Sequence, residues 1–304
     1  MLYNRITLKN AIGLAAPHTW VASVFPVLAG TALSVVLAGV FSLPVFLLTL
    51  AGVILLQSSV NTINDYYDFI KGNDHVGDYV DPGDSVLVYT KLNPKSVKKL
   101  GYLFIVAAGF LGAYPMYRGG IATVAIACIA CFVIIAYSAG KRPISHLPIG
   151  ELVSGGVMGC LITVGTFTVF TGYIRWDVFL ISLPLVLGIG LIMMTNNTCD
   201  IERDMNVGRR TLPVILGRGR AVALYRFFTT VWLISTVAVA AMWFGRGAIA
   251  ATVLLLASIP VLRSLFLSTL APEERARCMI AIVKANVCIN TAYLAGIVGY
   301  VFLY

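Results

Sequence analysis

One long apolar segment of this chain ends in the polar run Asn61-Thr62-Ile63-Asn64-Asp65-Tyr66-Tyr67-Asp68-Phe69-Ile70-Lys71-Gly72-Asn73-Asp74. A second apolar segment, far downstream, ends in the run Asn196-Asn197-Thr198-Cys199-Asp200-Ile201-Glu202-Arg203-Asp204-Met205-Asn206-Val207-Gly208-Arg209-Arg210. The chain has only 13 Asp and Glu among its 304 residues, and most of them lie in or just after these two runs. The rest of the sequence is therefore interpreted as a scaffold that positions two clusters of carboxylates.

The composition is typical of a membrane protein. Hydrophobic residues make up 59% of the chain and charged residues 12%, whereas soluble domains carry about 25% charged residues. The mean hydropathy is +0.90. A net charge of +9 could indicate nucleic-acid binding in a soluble protein, but no basic patch with interleaved aromatic residues accompanies it. We therefore expect a lipid bilayer, and no nucleic acid, as a partner.

The apolar segments predict membrane-spanning helices. A bilayer core about 30 Å thick needs about 20 apolar residues in a helix, and only helices or closed barrels can cross it. These segments are too long for barrel strands, so we predict one all-α domain over residues 1–304. The nine predicted spans cover residues 18–38, 43–63, 99–117, 120–138, 151–171, 177–197, 222–244, 247–267 and 281–303.

The basic residues predict the orientation of the chain. With a cytoplasmic N-terminus, the outer loops contain only Arg118, Arg175 and Arg246 of the 22 Lys and Arg. This bias follows the positive-inside rule and predicts a multi-pass protein of the cytoplasmic membrane. Both carboxylate runs then lie on the cytoplasmic side.

The spacing within each run brings its carboxylates together. Asp65 and Asp68 are three residues apart and Asp200 and Asp204 are four apart, so each pair shares one face of a helix. Like charges this close repel unless a cation lies between them. Carboxylate oxygens are preferred ligands of Mg²⁺, which also binds substrate phosphates. Two facing pairs could thus hold Mg²⁺ and a diphosphate; plain solvated helix ends are the alternative.

Amide and basic side chains complete the predicted site. Asn64 and Asn197 could ligate metal or orient a carboxylate, and helix capping or interhelical hydrogen bonding is their alternative role. Guanidinium and ammonium groups bind phosphate oxygens. The residues predicted to bind the diphosphate are Asn64, Lys71, Lys141, Arg142, Asn197, Arg209 and Arg210.

The two runs resemble the paired motifs of the UbiA superfamily of membrane-embedded prenyltransferases. The first family motif has the form N-D-x-x-D with a further Asp, here Asn64 to Asp74. The second has the form D-x-x-x-D, here preceded by an Asn pair and followed by Gly208-Arg209-Arg210-Thr211-Leu212. Tyr137-Ser138-Ala139-Gly140-Lys141-Arg142 is similar to a family Y-T/S-x-x-K-R element. The chain looks most like the branch that prenylates 1,4-dihydroxy-2-naphthoate in menaquinone synthesis.

The resemblance implies both a fold and a reaction. The fold would be nine helices around a central cavity, with cytoplasmic loops over its mouth. The reaction would be Mg²⁺-dependent transfer of a polyprenyl group from polyprenyl diphosphate to an aromatic acceptor. The implied catalytic residues are Asp65, Asp68, Asp200 and Asp204, and the implied metal ligands are these four with Asn64 and Asp74.

Other residues have weaker predicted roles. Glu151, at the start of the fifth predicted span, could help to deprotonate the acceptor or simply complement the helix dipole. Four aromatic residues could shield an allylic cation by cation–π contact, and side-chain packing is their alternative role: Tyr66, Tyr67, Tyr137 and Phe167.

Alternative functions remain open at this stage. Residues 81–88 lack the Arg that the family often has after the first motif, which leaves 4-hydroxybenzoate and other quinone precursors as possible acceptors. A transporter is the alternative of another class, because a weak internal repeat and buried polar groups would suit one. Clustering of the carboxylates at one membrane face rather than at the midplane disfavours it. Prenyl chain length and oligomeric state are not predicted.

Cysteine accessibility tests the predicted orientation. In a variant that lacks the six native cysteines, single cysteines at positions 78 and 206 should react with a membrane-impermeant maleimide only after permeabilisation, because both are predicted to be cytoplasmic. Cysteines at positions 175 and 246 should react in intact cells. Labelling of 78 and 206 in intact cells would show that the orientation is wrong.

Overall fold

The computed structural model describes residues 3–73, 85–140 and 142–302, and its helices and helical turns account for all regular secondary structure in these ranges. The N-terminal half contains α1 (Leu8–Ala15), α2 (Val21–Ala38), α3 (Leu43–Lys71), α4 (Val86–Tyr89), α5 (Pro94–Ser138), α6 (Gly150–Ser154) and α7 (Ile162–Thr171). The C-terminal half contains α8 (Asp177–Ile181), α9 (Leu183–Cys199), α10 (Ile201–Asn206), α11 (Leu212–Leu216), α12 (Arg218–Phe244), α13 (Gly247–Ala257), α14 (Ile259–Leu267) and α15 (Arg275–Phe302). The predicted all-α class is therefore confirmed.

The first carboxylate run lies on a helix as far as Lys71. We expected the second span to end near residue 63, but α3 continues to Lys71. It stops at Gly72, whose positive φ of 66° is a conformation that glycine adopts at little cost. Asp65 and Asp68 thus occupy the last turns of α3, and both are buried.

One long element contains two of the predicted spans. Asn93 caps the start of α5, where its side chain accepts a hydrogen bond from the Lys95 amide at 3.0 Å. Pro94 follows at the first helical position, which proline favours. Gly120 interrupts the helical backbone with φ 72° and ψ −166°, at the boundary between the predicted spans 99–117 and 120–138.

The second carboxylate run lies at a break between helices. The backbone leaves helical geometry at Asp200, which ends α9 and precedes α10.

A π-helical segment (Gly155–Leu161) joins α6 to α7 and packs against α9. A Cβ atom at Gly155 would lie 2.4 Å from the Val186 carbonyl oxygen, and one at Gly159 would lie 2.6 Å from the Val186 Cα. The π segment therefore packs backbone to backbone against α9.

The length and apolarity of the helices indicate a multi-pass membrane protein. Within the described ranges, six helical segments are long and apolar enough to cross a bilayer, or up to seven if α13 and α14, bent by 59°, form one span. The shorter apolar helix α9 is outside this count. The predicted number of nine spans is not reached by this criterion and stays a prediction.

Buried polar side chains join the helices in the core. Asn286 on α15 donates a hydrogen bond to the Gly188 carbonyl of α9 at 3.1 Å. Gly188 also lies under the Trp232 ring, where a Cβ would approach a ring carbon to 2.6 Å. Tyr293 donates its hydroxyl hydrogen to the Ile181 carbonyl at 2.5 Å. These contacts fix α15 against α8 and α9, and α12 against α9; of these helices, α9 and α15 line the site described below.

The contact between α13 and α15 gives a stability test. A Cβ at Gly247 would lie 2.1 Å from the Gly296 carbonyl oxygen and 3.1 Å from the Tyr300 amide. Gly247→Ala should therefore lower the unfolding free energy by about 1–3 kcal/mol through overpacking and reduce the thermal midpoint in detergent. Gly109→Ala is the control, because a Cβ there meets nothing within 4 Å and alanine favours the helix. Equal midpoints for the two variants would contradict the close contact.

Candidate active site

Both carboxylate runs line one large cavity. Its volume is about 610 Å³, and its lining includes Asp65 and Asp68 from α3 and Asn196 and Asn197 from α9. Aliphatic side chains from five helices form much of the remaining wall, including Val53, Leu56, Ile134, Val157, Ile189 and Val283. The cavity therefore has a polar end, where the runs meet, and a long apolar wall.

Arg209 connects the two runs directly. Its guanidinium donates one hydrogen bond to Asp68 Oδ1 and another to Asp204 Oδ1 at 3.4 Å. Both carboxylates are buried, and Arg209 itself is largely shielded from solvent. Residues 141 positions apart in the sequence are thus brought together at the polar end of the cavity.

Neighbouring amides orient the Asp68 carboxylate. Asn64 donates to its Oδ2 and Asn73 to its Oδ1, each at 2.8 Å. The Ser138 hydroxyl in turn donates to Asn64 Oδ1 at 2.8 Å. Lys71 is exposed and donates to the Ser138 carbonyl at 2.9 Å. It therefore contacts the residue that holds Asn64 beside Asp68, and it does not line the cavity. This arrangement agrees with an orienting role for Asn64.

Asp65 faces the short helix α4. The Leu87 amide donates to its Oδ1 at 3.3 Å, and Leu87 is buried with Val86 and Leu14 in a small apolar cluster. Asp65 is 4% exposed. The segment that follows the first run thus folds back over this carboxylate and holds it at the cavity wall.

Two arginines that the sequence analysis did not single out bind Asp200. Arg203 donates to Asp200 Oδ2 at 2.6 Å, and Arg275 donates to Oδ1 at 3.0 Å. Arg275 also donates to Asn196 Oδ1 at 2.6 Å and is only 5% exposed. The one sequence signal for Arg275 was its position at the cytoplasmic start of the last predicted span.

Burial perturbs two ionisable groups at the polar end. Removal from water raises the pKa of Asp204 to about 6, against the opposing effect of Arg209. Burial and the nearby charge of Arg209 lower the pKa of His146 to about 4. Removal from water is the largest cause of both pKa shifts, so the polar end is shielded from solvent and disfavours the charged form of each group.

Several predicted site residues are absent from the lining of the cavity. Asp200 and Asp204 are not part of it, whereas the arginines that bind them are: Arg203, Arg209 and Arg275. Arg142 and Arg210 are exposed and are absent from its lining; the Arg210 amide donates to the His146 carbonyl at 3.0 Å. Their predicted contact with a diphosphate is therefore not supported by this geometry, because each side chain faces solvent. Asp74, Lys141 and residues 81–84 lie outside the described residues.

Two other predicted residues lie at the cavity wall. Asn197 lines the cavity and donates to Glu151 Oε1 at 2.8 Å. Tyr137 also lines it, with its hydroxyl 3.2 Å from Met193 Sδ. Of the aromatic residues considered, Phe167 belongs to an apolar core cluster instead, and Tyr66 and Tyr67 do not line the cavity.

The donor atoms at the polar end suit a hard divalent cation. Within the described ranges, no group of three or more His, Cys, Asp or Glu side chains is close enough to form a complete metal site. Mg²⁺ does not need one, since it usually takes one or two carboxylates together with waters and substrate phosphates. Asp65 and Asp68, which line the cavity together with Asn64 and Asn197, fit that requirement.

Comparison with known proteins identifies the family. A sequence model described as the UbiA prenyltransferase family matches residues 23–286. This chain belongs to the UbiA prenyltransferase family. It is 32% identical to the 1,4-dihydroxy-2-naphthoate octaprenyltransferase of Bacillus subtilis over 86% of this chain and 79% of that protein. It is 29% identical to the UbiA prenyltransferase domain-containing protein 1 of Xenopus tropicalis, over 69% of this chain and 60% of that protein.

Solved structures of the family share the fold. A UbiA homologue from Archaeoglobus fulgidus bound to DMAPP and Mg²⁺ aligns with a TM-score of 0.66 and 16% identity, over 97% of this chain and 99% of that one. The apo UbiA homologue of Aeropyrum pernix K1 aligns with a TM-score of 0.65 and 17% identity, over 88% and 96% of the two chains. The family and the apolar helices together make this protein a membrane prenyltransferase.

Substitution of two adjacent arginines tests whether Arg209 joins the two carboxylate runs. Arg209→Ala should lower the unfolding free energy by about 3–5 kcal/mol, because it leaves buried carboxylates without their partner. Arg210→Ala should have little effect, since that side chain is exposed. Thermal midpoints of the two purified variants give the comparison. A midpoint for Arg209→Ala equal to that of the parent protein would contradict the bridge between Asp68 and Asp204.

Proposed function

We propose that this UbiA family protein transfers a polyprenyl group from polyprenyl diphosphate to 1,4-dihydroxy-2-naphthoate, in a Mg²⁺-dependent step of menaquinone synthesis. The observation that carries the proposal is the meeting of two buried aspartate pairs beside one largely apolar cavity: Asp65 and Asp68 line it, and Arg209, which also lines it, joins Asp68 to Asp204. A diphosphate with a long hydrocarbon tail has the same division between a charged end and an apolar body.

The polar end would bind the diphosphate. Asp65, Asp68, Asp200 and Asp204 would hold Mg²⁺, which supplies Lewis-acid stabilisation of the charge that develops on the leaving diphosphate. The three arginines that line the cavity are Arg203, Arg209 and Arg275. Their guanidinium groups, now on Asp68, Asp200 and Asp204, would donate hydrogen bonds to phosphate oxygens.

The apolar wall would protect the reactive carbon. The bond between C1 of the prenyl chain and the diphosphate oxygen breaks, and its electron pair leaves with the diphosphate. An electron-rich ring carbon of the acceptor then attacks the allylic cation, and the ring loses carbon dioxide. Aliphatic side chains such as Ile134 and Ile189 exclude water, which would otherwise quench the cation. The Tyr137 ring would lie beside it.

The identity of the acceptor rests on sequence similarity and on one contact. The Bacillus subtilis relative, at 32% identity, is named for 1,4-dihydroxy-2-naphthoate. Glu151 accepts a hydrogen bond at 2.8 Å from Asn197, which lines the cavity, and would accept a proton from a hydroxyl group of the acceptor. Another quinone precursor, such as 4-hydroxybenzoate, would use the same polar end.

The proposal includes an arrangement in the membrane. Nine spans would result if α5 crosses twice with its break at Gly120, if α8 and α9 together form one span, and if α13 and α14 form another. The N-terminus and the carboxylate end of the cavity would face the cytoplasm in the cytoplasmic membrane. The uneven distribution of Lys and Arg supports this orientation.

Substitutions that remove the negative charge but keep the side-chain shape test the role of the aspartates. Asp68→Asn and Asp200→Asn should each reduce prenyl transfer by at least about 100-fold, because one side of the metal and diphosphate contact is lost. Asp177→Asn is the matched control: Asp177 pairs with Arg175 at 2.9 Å, outside the cavity. Activity within twofold of the parent protein in Asp68→Asn or Asp200→Asn, with intact folding, would refute the assignment.

A membrane assay tests the reaction as a whole. Labelled polyprenyl diphosphate and 1,4-dihydroxy-2-naphthoate should give a prenylated, decarboxylated product with Mg²⁺, and EDTA should abolish its formation. Transfer only to 4-hydroxybenzoate would refute the proposed acceptor but leave the metal proposal standing. Transfer that persists in EDTA would refute the metal proposal.

A further inference from the structure

A second cavity lies between α14 and the first turns of α15. Its volume is about 240 Å³, and its lining includes Arg263, Ser264 and Ser268 on one side and Arg277 and Cys278 on the other. It shares no lining residue with the large cavity. Because Arg275 begins α15 and binds Asp200, this second cavity lies on the same side of the protein as the aspartate pairs.

The bend between α13 and α14 creates the second cavity. The two helices meet at 59°, next to Pro260 at the start of α14. At the other end of α14, Arg226 of α12 donates to the Ser268 carbonyl at 3.3 Å, and the Ser268 hydroxyl lies 3.0 Å from Cys278 Sγ. The C-terminal end of α14 is therefore held against α12 and α15, and a cleft stays open along α15.

The charge of the second cavity favours an anion. Arg263 and Arg277 are exposed, and the described residues provide neither with an ion pair or hydrogen bond. Glu274, the acidic residue of the lining, accepts a hydrogen bond from Thr269 at 2.7 Å. The cavity also borders the N-terminal turn of the 28-residue helix α15, where the helix dipole stabilises negative charge.

Exposed apolar side chains flank this cationic cleft. Leu267 is 66% exposed and also lines the cavity. Ile259, also on α14, and Ile280, on α15, are 53% and 56% exposed and adjoin the lining residues Pro260 and Ala281 in sequence. A free phosphate would leave these surfaces uncovered, whereas a phospholipid would place its phosphate between the arginines and its acyl chains against the aliphatic residues.

We propose that this cleft binds the phosphate group of an anionic phospholipid from the surrounding bilayer. Arg263 and Arg277 bind the phosphate oxygens, and Leu267 and Ile280 contact the acyl chains. Since α15 also carries Arg275, the bound lipid stabilises the helix turn that presents this arginine to Asp200. The site is separate from the proposed prenyl transfer and does not depend on which acceptor is used.

Lipid binding to the purified, delipidated full-length chain tests the proposal. The probes are phosphatidylglycerol, phosphatidylcholine and inorganic phosphate, with native mass spectrometry and thermal midpoints as readouts. Arg263→Gln with Arg277→Gln should weaken phosphatidylglycerol binding by roughly 30-fold, from the loss of two basic groups near an anionic lipid. The matched control is Arg118→Gln with Arg220→Gln, which removes two other exposed arginines and should leave binding unchanged.

Three outcomes would overturn the proposal. The first is equal phosphatidylglycerol binding by the Arg263/Arg277 double variant and the parent protein. The second is equal binding of phosphatidylcholine, which would show that the anionic headgroup is not recognised. The third is stabilisation by inorganic phosphate as large as that by phosphatidylglycerol, which would make the cleft a site for free anions.

Discussion

The structure depends on the compensation of buried negative charge. Asp65, Asp68, Asp200 and Asp204 are each at most 8% exposed, and an isolated carboxylate in such surroundings is strongly disfavoured. Arg203, Arg209 and Arg275 supply the compensation for Asp68, Asp200 and Asp204, and the side-chain amides of Asn64 and Asn73 orient Asp68. The geometry of the polar end is therefore set by ion pairs, and the helices must bring their ends together for these pairs to form.

Two local features make that approach possible. The extension of α3 past its expected end places Asp65 and Asp68 on rigid helix, facing the cavity. The break at Asp200 turns the chain away from α9, so that Asp204 and Arg209 return towards α3. A continuous helix at Asp200 would carry Asp204 further along the axis of α9, away from Asp68. The proposed diphosphate contact thus requires one helix that continues and one that stops.

Much of the candidate site could be predicted from the sequence because the acidic pairs and their asparagines form compact local patterns. The all-α class followed from the long apolar segments. Other features could not be derived in this way. Arg275 binds Asp200 across 75 positions, and Ser138 binds Asn64 across 74, and no local spacing encodes such contacts. Arg209 and Arg210 are neighbours of the same type, so only the turn before them decides which one enters the cavity. The end of α3 was misplaced because its polar last turns lack the apolarity that marks the rest of the helix.

The glycines of the π segment make the spacing of the helices independent of the side chains that line the cavity. Gly155 and Gly159 place that wall in backbone contact with α9, so the spacing of these helices does not depend on their larger side chains. Val157, Met158 and Ile162, from the same stretch, line the cavity. Replacement of these three side chains changes the space available to a hydrocarbon tail while the helices keep their positions. Cavity depth in this fold can therefore diversify by single substitutions, without a matching change elsewhere in the scaffold.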